Sequence, residues 1–265
     1  MENMKLWENG TPYYNAEYGQ PETTVTPYLV EDANPAKGLV IVCPGGGYSG
    51  RAEHEGKPIA EYLNKAGISA LVLNYRVAPY QYPAELEDAK RAIRFARFHA
   101  KEWNVDPEKI GIIGFSAGGH LALMACEHFD FGKTDGDEID RVSSRPNAGL
   151  LGYPVVSMVS KYTHFGSKNN YLGTNASDAE LAKRMSGECS VPDDCPPFFI
   201  WHTTGDTCVD VNNSLMLAQA LHEKNISFEM HIFPIGGHGG GLALQVPSTA
   251  QWAPLMVNWL KYMKF

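Results

Sequence analysis

A serine flanked by glycines, Gly114-Phe115-Ser116-Ala117-Gly118-Gly119-His120, stands where an apolar run ends and a helical one begins. The run before it, Lys109-Ile110-Gly111-Ile112-Ile113, is short, aliphatic and β-branched, the pattern of a strand buried on both faces. The stretch after it, His120 to Cys126, holds strong helix formers and no breaker. Strand, sharp turn and helix in that order is the setting in which G-x-S-x-G forms a nucleophile elbow. There the serine takes a strained backbone conformation, and side chains at positions 114 and 118 would strike the neighbouring strand and helix. The pentapeptide alone fits an ordinary glycine-rich turn equally well, so the rest of the chain has to separate the two readings.

Strands and helices alternate along most of the 265 residues, a length that suits one large domain. Residues 1–22 are polar, tyrosine-rich and broken by prolines, an arm with little regular structure. Thr24 to Val30 reads as a strand, and Pro27 confines it to an edge. A turn at Asp32-Ala33-Asn34-Pro35 leads to a buried strand, Gly38 to Val42, which runs into Pro44-Gly45-Gly46-Gly47-Tyr48. A helix from Pro58 to Lys65, stopped by Gly67, precedes the strand Ser69 to Tyr75. Ala84 to Trp103 carries Leu86, Ala89, Ile93 and Ala96 at helical spacing, with Arg91, Arg94 and Arg97 beside Glu85, Glu87 and Asp88 on a solvated face. Further strands are expected at Asn147–Val156, Pro197–His202 and Phe228–Phe233, and further helices at Asn212–Lys224 and Ala250–Met263. Long crossovers between strands predict a three-layer α/β/α sandwich around a mostly parallel sheet of about eight strands. Between Ser157 and Pro196 the periodicity fails apart from one short helix at Asp178–Met185, and a loop of that length is expected to act as a lid or pocket wall.

A serine nucleophile needs a base, and the base needs an orienting carboxylate. Of nine histidines, His99, His128 and His222 fall in predicted helices as surface or interface residues, and His231 lies inside the last strand. His238 stands in the loop after that strand, between Gly236-Gly237 and Gly239-Gly240-Gly241, where sheet ligands gather. Asp206, just beyond the strand ending at His202, is placed to accept the Nδ1 hydrogen of His238, while Asp210 four residues on suits the N-cap of the next helix. Gly45-Gly46-Gly47 leaves backbone N–H groups approachable, so Gly46, Gly47 and the Ala117 N–H form a candidate three-donor oxyanion hole. A phosphate cradle is the competing reading, but no Lys follows at P-loop spacing and no G-x-G-x-x-G register fits.

Charge and composition narrow the classes. A net charge of −8 argues against nucleic acid as a partner. No apolar run approaches the ~20 residues of a membrane span, and the first residues lack the pattern of a signal peptide, which together point to a cytoplasmic protein. Cys43 and Cys126 lie in apolar segments, while Cys189 and Cys195 are near enough in sequence to pair, though a reducing compartment favours free thiols. His54-Glu55 opens like H-E-x-x-H, but Pro58 holds the second histidine's place, and no Cys/His set has zinc spacing. The expected chemistry calls for no cofactor and no metal, and the sequence leaves homo-oligomerisation open.

These residues resemble the α/β-hydrolase serine esterases, in particular the branch shared by hormone-sensitive-lipase-like enzymes and bacterial acetylxylan or carbohydrate esterases. The resemblance covers roughly residues 38–263. It rests on Tyr75-Arg76-Val77-Ala78-Pro79 with Tyr82-Pro83-Ala84 and Asp88, on Gly114 to Leu121, and on Ile200-Trp201-His202 with Gly205-Asp206 and Val209. The order Ser116, Asp206, His238 is that of the α/β-hydrolases. The resemblance implies a single domain over 1–265 and a catalytic triad acting on a small-molecule ester. The lipase-like members carry His-Gly-Gly-Gly at the oxyanion loop, and Pro44 replaces that histidine, so whatever orients the loop must differ. The short N-terminal region leaves no room for a large apolar cap, which implies short acyl groups, acetyl first. Tyr48, Tyr75, Tyr80 and Tyr82 are candidates to stack on sugar rings, with at least half of them expected to be structural. A serine peptidase and a non-catalytic binding protein on the same scaffold are the competing readings.

Overall fold

Aliphatic runs with no polar alternation need cover on both faces, and a central sheet supplies it. The computed structural model describes residues 2–31 and 37–265, and the turn expected at Asp32–Pro35 lies outside them. Eight strands, β1 (Met4–Lys5), β2 (Thr24–Tyr28), β3 (Lys37–Cys43), β4 (Ser69–Asn74), β5 (Val105–Phe115), β6 (Ala148–Gly152), β7 (Phe198–Thr203) and β8 (Phe228–Phe233), form one sheet in the order β1-β2-β4-β3-β5-β6-β7-β8. The pairs involving β2 are antiparallel and the rest parallel. Pro27 is tolerated because β1 pairs only with Thr24 and Val25, leaving the proline's outer side without a ladder.

Alternation along the strands divides the core in two. Leu39, Ile41, Leu71 and Leu73 pack with α2 (Ala84–Phe98), α3 (Ala117–Glu127) and α7 (Asn212–Glu223). Val40, Val42, Ala70 and Val72 face the other way, onto α1 (Lys57–Lys65) and α8 (Trp252–Tyr262). That is the three-layer α/β/α arrangement the strand and helix order predicts.

Several boundaries moved for local reasons. The strand expected to reach Val156 ends at Gly152, because Tyr153 takes a left-handed φ of 35° and turns the chain out of the sheet. The helix expected to reach Trp103 stops at Phe98, and His99 instead stacks on Trp103 at 5.0 Å. Between 157 and 196 three short helices stand in place of the one expected: α4 (Phe165–Leu172), α5 (Ala179–Arg184) and α6 (Gly187–Ser190). They are too short for a hydrophobic stripe, and two are started by caps, with the side chains of His164 and Asp178 accepting from the backbone of Ser167 and Leu181.

The arginine face of α2 is a correction. Arg91 and Arg94 were expected in solvent, yet each is 1% exposed. The segment after α3 folds back over α2 and brings acids to them: Asp137 and Asp140 lie 2.5 and 3.0 Å from the Arg91 guanidinium, and Asp130 pairs with Arg94. Arg97 reaches the carbonyl of Arg145 and the amide oxygen of Asn147. Paired guanidiniums carry little net stabilisation when buried, but they fix where the returning loop lies.

Candidate active site

The elbow is built by exclusion. Ser116 sits at the β5–α3 junction with φ 54° and ψ −121°, a conformation that costs an L-residue of order 1–3 kcal/mol and persists only when its surroundings impose it. A Cβ on Gly114 would lie 2.0 Å from the Gly118 carbonyl oxygen, and one on Gly118 would lie 2.2 Å from that of Cys43. Glycine at both positions lets the first turn of α3 close against the strand and against the end of β3. The Ser116 backbone is anchored as well, its N–H donating to Gly152 and its carbonyl accepting from Val155.

Loops after three strands converge on that serine. His238, in the loop after β8, places Nε2 2.7 Å from Ser116 Oγ and Nδ1 2.6 Å from Asp206 Oδ2. Asp206 follows β7, and its other oxygen accepts the backbone N–H groups of Cys208 and Val209, each at 2.9 Å. Burial alone pushes the Asp206 carboxyl up, but hydrogen bonds from His202, His238 and Val209 outweigh it and hold the group well below the usual carboxylate range. A carboxylate so held is ionised beside the imidazole at neutral pH. Asp210 is not the N-cap expected of it: Val211 holds that position without a side-chain cap, and Asp210 one residue earlier accepts the Asn212 N–H at 2.8 Å in the turn that leads into α7.

At the end of β3, Gly46 and Gly47 take φ values of 129° and 63°. A Cβ on Gly46 would lie 2.4 Å from the Gly50 carbonyl oxygen, so the turn requires glycine there. The insert braces this loop, since Asn170 on α4 donates to the Gly47 carbonyl at 2.8 Å.

The tyrosines differ from expectation. Tyr48 and Tyr75 are completely buried and cannot offer a face to a sugar ring. Their rings fill the space beneath the glycine loop, and each hydroxyl has the partner that burial demands: Tyr48 with His120 Nδ1 at 2.8 Å, Tyr75 with the Pro44 carbonyl at 2.5 Å. Tyr80 is also buried and binds the backbone of Asn15. Only Tyr82 remains half-exposed, packed edge-on against Tyr171 and under the Arg184 guanidinium.

His120, inside the elbow helix, donates from Nε2 to the Met185 carbonyl of the insert at 2.9 Å. Burial pulls its pKa down to about 4, so the folded chain keeps it neutral while the unfolded chain takes up a proton near pH 6.5. Stability therefore falls as pH drops from about 6.5 towards 4, by on the order of 3 kcal/mol from this group alone. In urea titrations at pH 7 and 4.5, His120→Gln should show a smaller loss of midpoint than the parent. An equal loss would contradict this linkage.

Residues to which the sequence reading gave no role in catalysis surround the site. His164, at the start of α4, lies 3.6 Å from Cys208 Sγ next to Asp206. Glu55 and Tyr153 tie the glycine loop to the histidine loop. A cleft of about 910 Å³ opens elsewhere, behind the glycine loop and between Tyr18, Asn74, Arg51 and Lys57. Its polar walls are largely committed, Arg51 to the Tyr75 carbonyl and Asn74 to Thr24 and Thr26. All five cysteines are free, with Cys189 exposed and Cys195 buried. Among the described residues, no group of three or more His, Cys, Asp or Glu side chains is arranged to hold a metal ion, and no helix is long and apolar enough to cross a membrane.

A mostly parallel sheet with a serine at a strained strand-to-helix turn, met by an aspartate and a histidine from loops at the ends of later strands, defines an α/β hydrolase. The chain belongs to the BD-FAE family, whose model matches residues 27–221. It is 44% identical to an acetyl ester-xyloside bifunctional hydrolase from Caldicellulosiruptor lactoaceticus, whose crystal structure it matches with a TM-score of 0.94 over 99% of this chain and 96% of that one. It is 39% identical over 240 residues to endo-1,4-beta-xylanase B of Butyrivibrio fibrisolvens and 32% identical over 232 residues to an acetylxylan esterase of Xylanibacter ruminicola. These alignments take in 88% and 86% of this chain but only 37% and 46% of those proteins, so the chain spans less than half of either curated relative.

Proposed function

We propose that this chain is a serine carboxylesterase that removes short acyl groups, acetyl first, from acetylated carbohydrate. The observation that carries the reading is the continuous hydrogen-bonded line from Ser116 Oγ through His238 to Asp206. The acetyl-ester and acetylxylan activities in the names of the similar proteins support the substrate class. In this reading Ser116 Oγ attacks the ester carbonyl carbon while His238 Nε2 takes its proton, and Asp206 stabilises the imidazolium. The N–H groups of Gly46, Gly47 and Ala117 receive the charge that builds on the carbonyl oxygen. Collapse of the tetrahedral species breaks the bond to the sugar oxygen, which takes the proton from His238 Nε2 and leaves as the hydroxyl. Water, deprotonated by the same histidine, then releases the acid and restores Ser116. Free thiols at all five cysteines suit a reducing compartment, and we place the work in the cytoplasm, on oligosaccharides already taken up.

An acyl-length series tests the substrate side. With p-nitrophenyl esters, kcat/KM is expected to fall by at least ~10-fold from acetyl to octanoyl, a difference of about 1.4 kcal/mol in transition-state binding. Acetate should also be released from acetylated xylo-oligosaccharides. A maximum at octanoyl, or cleavage of aminoacyl nitroanilides in preference to esters, would contradict the proposal.

A further inference from the structure

Glu55 is 1% exposed and carries a carboxylate that the triad does not use. In the sequence it stands beside His54 as a truncated zinc motif. In the fold it does something else. Its Oε2 accepts the Gly45 N–H at 2.7 Å, and its Oε1 accepts the Tyr153 hydroxyl at 2.5 Å. The Tyr153 oxygen in turn accepts the Gly241 N–H at 2.9 Å, and its ring packs edge-on against the His238 ring with centroids 5.1 Å apart.

The consequences are geometric. The Pro44–Gly45 peptide unit is held at both ends, its carbonyl by the Tyr75 hydroxyl and its N–H by Glu55. The Gly45 carbonyl is held too, by the Ala52 N–H at 2.9 Å. With those planes fixed, the directions of the following Gly46 and Gly47 N–H groups are constrained. On the other side, the Gly241 peptide is held by Tyr153 through its N–H and by the Trp252 indole through its carbonyl, three residues beyond His238. A Cβ on Gly45 would lie 2.7 Å from Glu55 Oε2, so the approach is as close as the chain allows.

We propose that Glu55, acting through Tyr153, is a positioning residue that couples the glycine loop to the His238 loop and so sets the oxyanion donors and the base relative to one another. This rests on the serine-esterase reading above. It also assigns the orienting role left open by Pro44, which cannot supply the side-chain hydrogen bonds of a histidine.

Glu55→Gln keeps the shape and can still accept from Gly45, but its NH2 group can only donate to the Tyr153 oxygen, which reverses that bond and leaves the Tyr153 hydroxyl hydrogen without its acceptor. A displacement of about 1 Å at a reacting centre can cost ~100-fold. For Glu55→Gln we expect kcat on p-nitrophenyl acetate to fall about 10- to 100-fold with KM within about twofold, and the rate of fluorophosphonate labelling to fall in parallel. Tyr153→Phe, which removes one oxygen and keeps the ring on His238, should lose about 10-fold, and the double variant should lose no more than about threefold beyond Glu55→Gln. Should Glu55→Gln fail to fold, Tyr153→Phe alone decides: an unchanged kcat in it overturns the coupling. So do losses that multiply in the double variant, or a fall in thermal midpoint with kcat and labelling rate intact. Activity surviving in Ser116→Ala would instead overturn the serine-esterase reading, which keeps the two failures apart.

Discussion

Ser116→Ala is expected to lower kcat on p-nitrophenyl acetate by on the order of 10⁶ while leaving the thermal midpoint close to that of the parent chain. The hydroxyl is the group that forms the covalent bond in this mechanism, so what survives is the contribution of the oxyanion donors and of binding. Little else should change. Ser116 is 6% exposed and, among the described residues, its hydroxyl bonds only to His238, whereas the backbone bonds to Gly152 and Val155 do not depend on it. Alanine meets the same positive φ with the same Cβ, so the strain of the elbow is unchanged. Substrate binding is equally undisturbed, which predicts a KM near that of the parent for the residual activity. Esterase activity within tenfold of the parent would remove Ser116 from the mechanism.

Asp206→Asn is expected to lower kcat by about 10⁴ for a reason that the hydrogen bonds make specific. The Cys208 and Val209 N–H groups require an acceptor at the Oδ1 position, so the asparagine carbonyl must take that place. Its NH2 group then faces His238 Nδ1, where Asp206 Oδ2 now lies at 2.6 Å. An amide donating to Nδ1 puts the imidazole proton on Nε2, and an Nε2–H cannot accept the hydrogen of Ser116. The same NH2 group meets the Nε2 of His202, which sits 3.3 Å from the aspartate oxygen and donates to the Val209 carbonyl. The wrong tautomer and the crowded donors act together. A loss smaller than ~10-fold in steady-state kinetics would contradict the role given to Asp206.

How much of this was legible in the residues depended on the kind of physical constraint. The elbow could be read because glycine at 114 and 118 answers to steric contact with backbone, which leaves a composition signal. The approach of Asp206 and His238 to Ser116 could be read because topology gathers strand ends, and each follows a strong strand signal. The face of a side chain was harder. Tyr48 follows the glycine loop directly and Tyr75 ends the next strand signal, but whether a ring points into a cleft or into the core is set by tertiary packing, and at Tyr48 by a loop with left-handed residues at 46, 47 and 48. Arg91 and Arg94 read as solvated because helical periodicity reports only the helix's own pattern. The acids that cover them, Asp130, Asp137 and Asp140, arrive from a segment about 40 residues away with no periodic signal. Glu55 was visible only as half of a metal motif. What marked it structurally was its burial with hydrogen bonds to Gly45 and Tyr153, from two different loops, which no local pattern announces.

The most direct measurement is the mass of the intact protein after incubation with a fluorophosphonate, followed by mapping of the modified residue. One adduct per chain on Ser116, absent in Ser116→Ala and formed more slowly in Asp206→Asn, is the expected result. Full esterase activity with no adduct, or an adduct on another residue whose formation tracks the loss of activity, would contradict a mechanism that runs through Ser116.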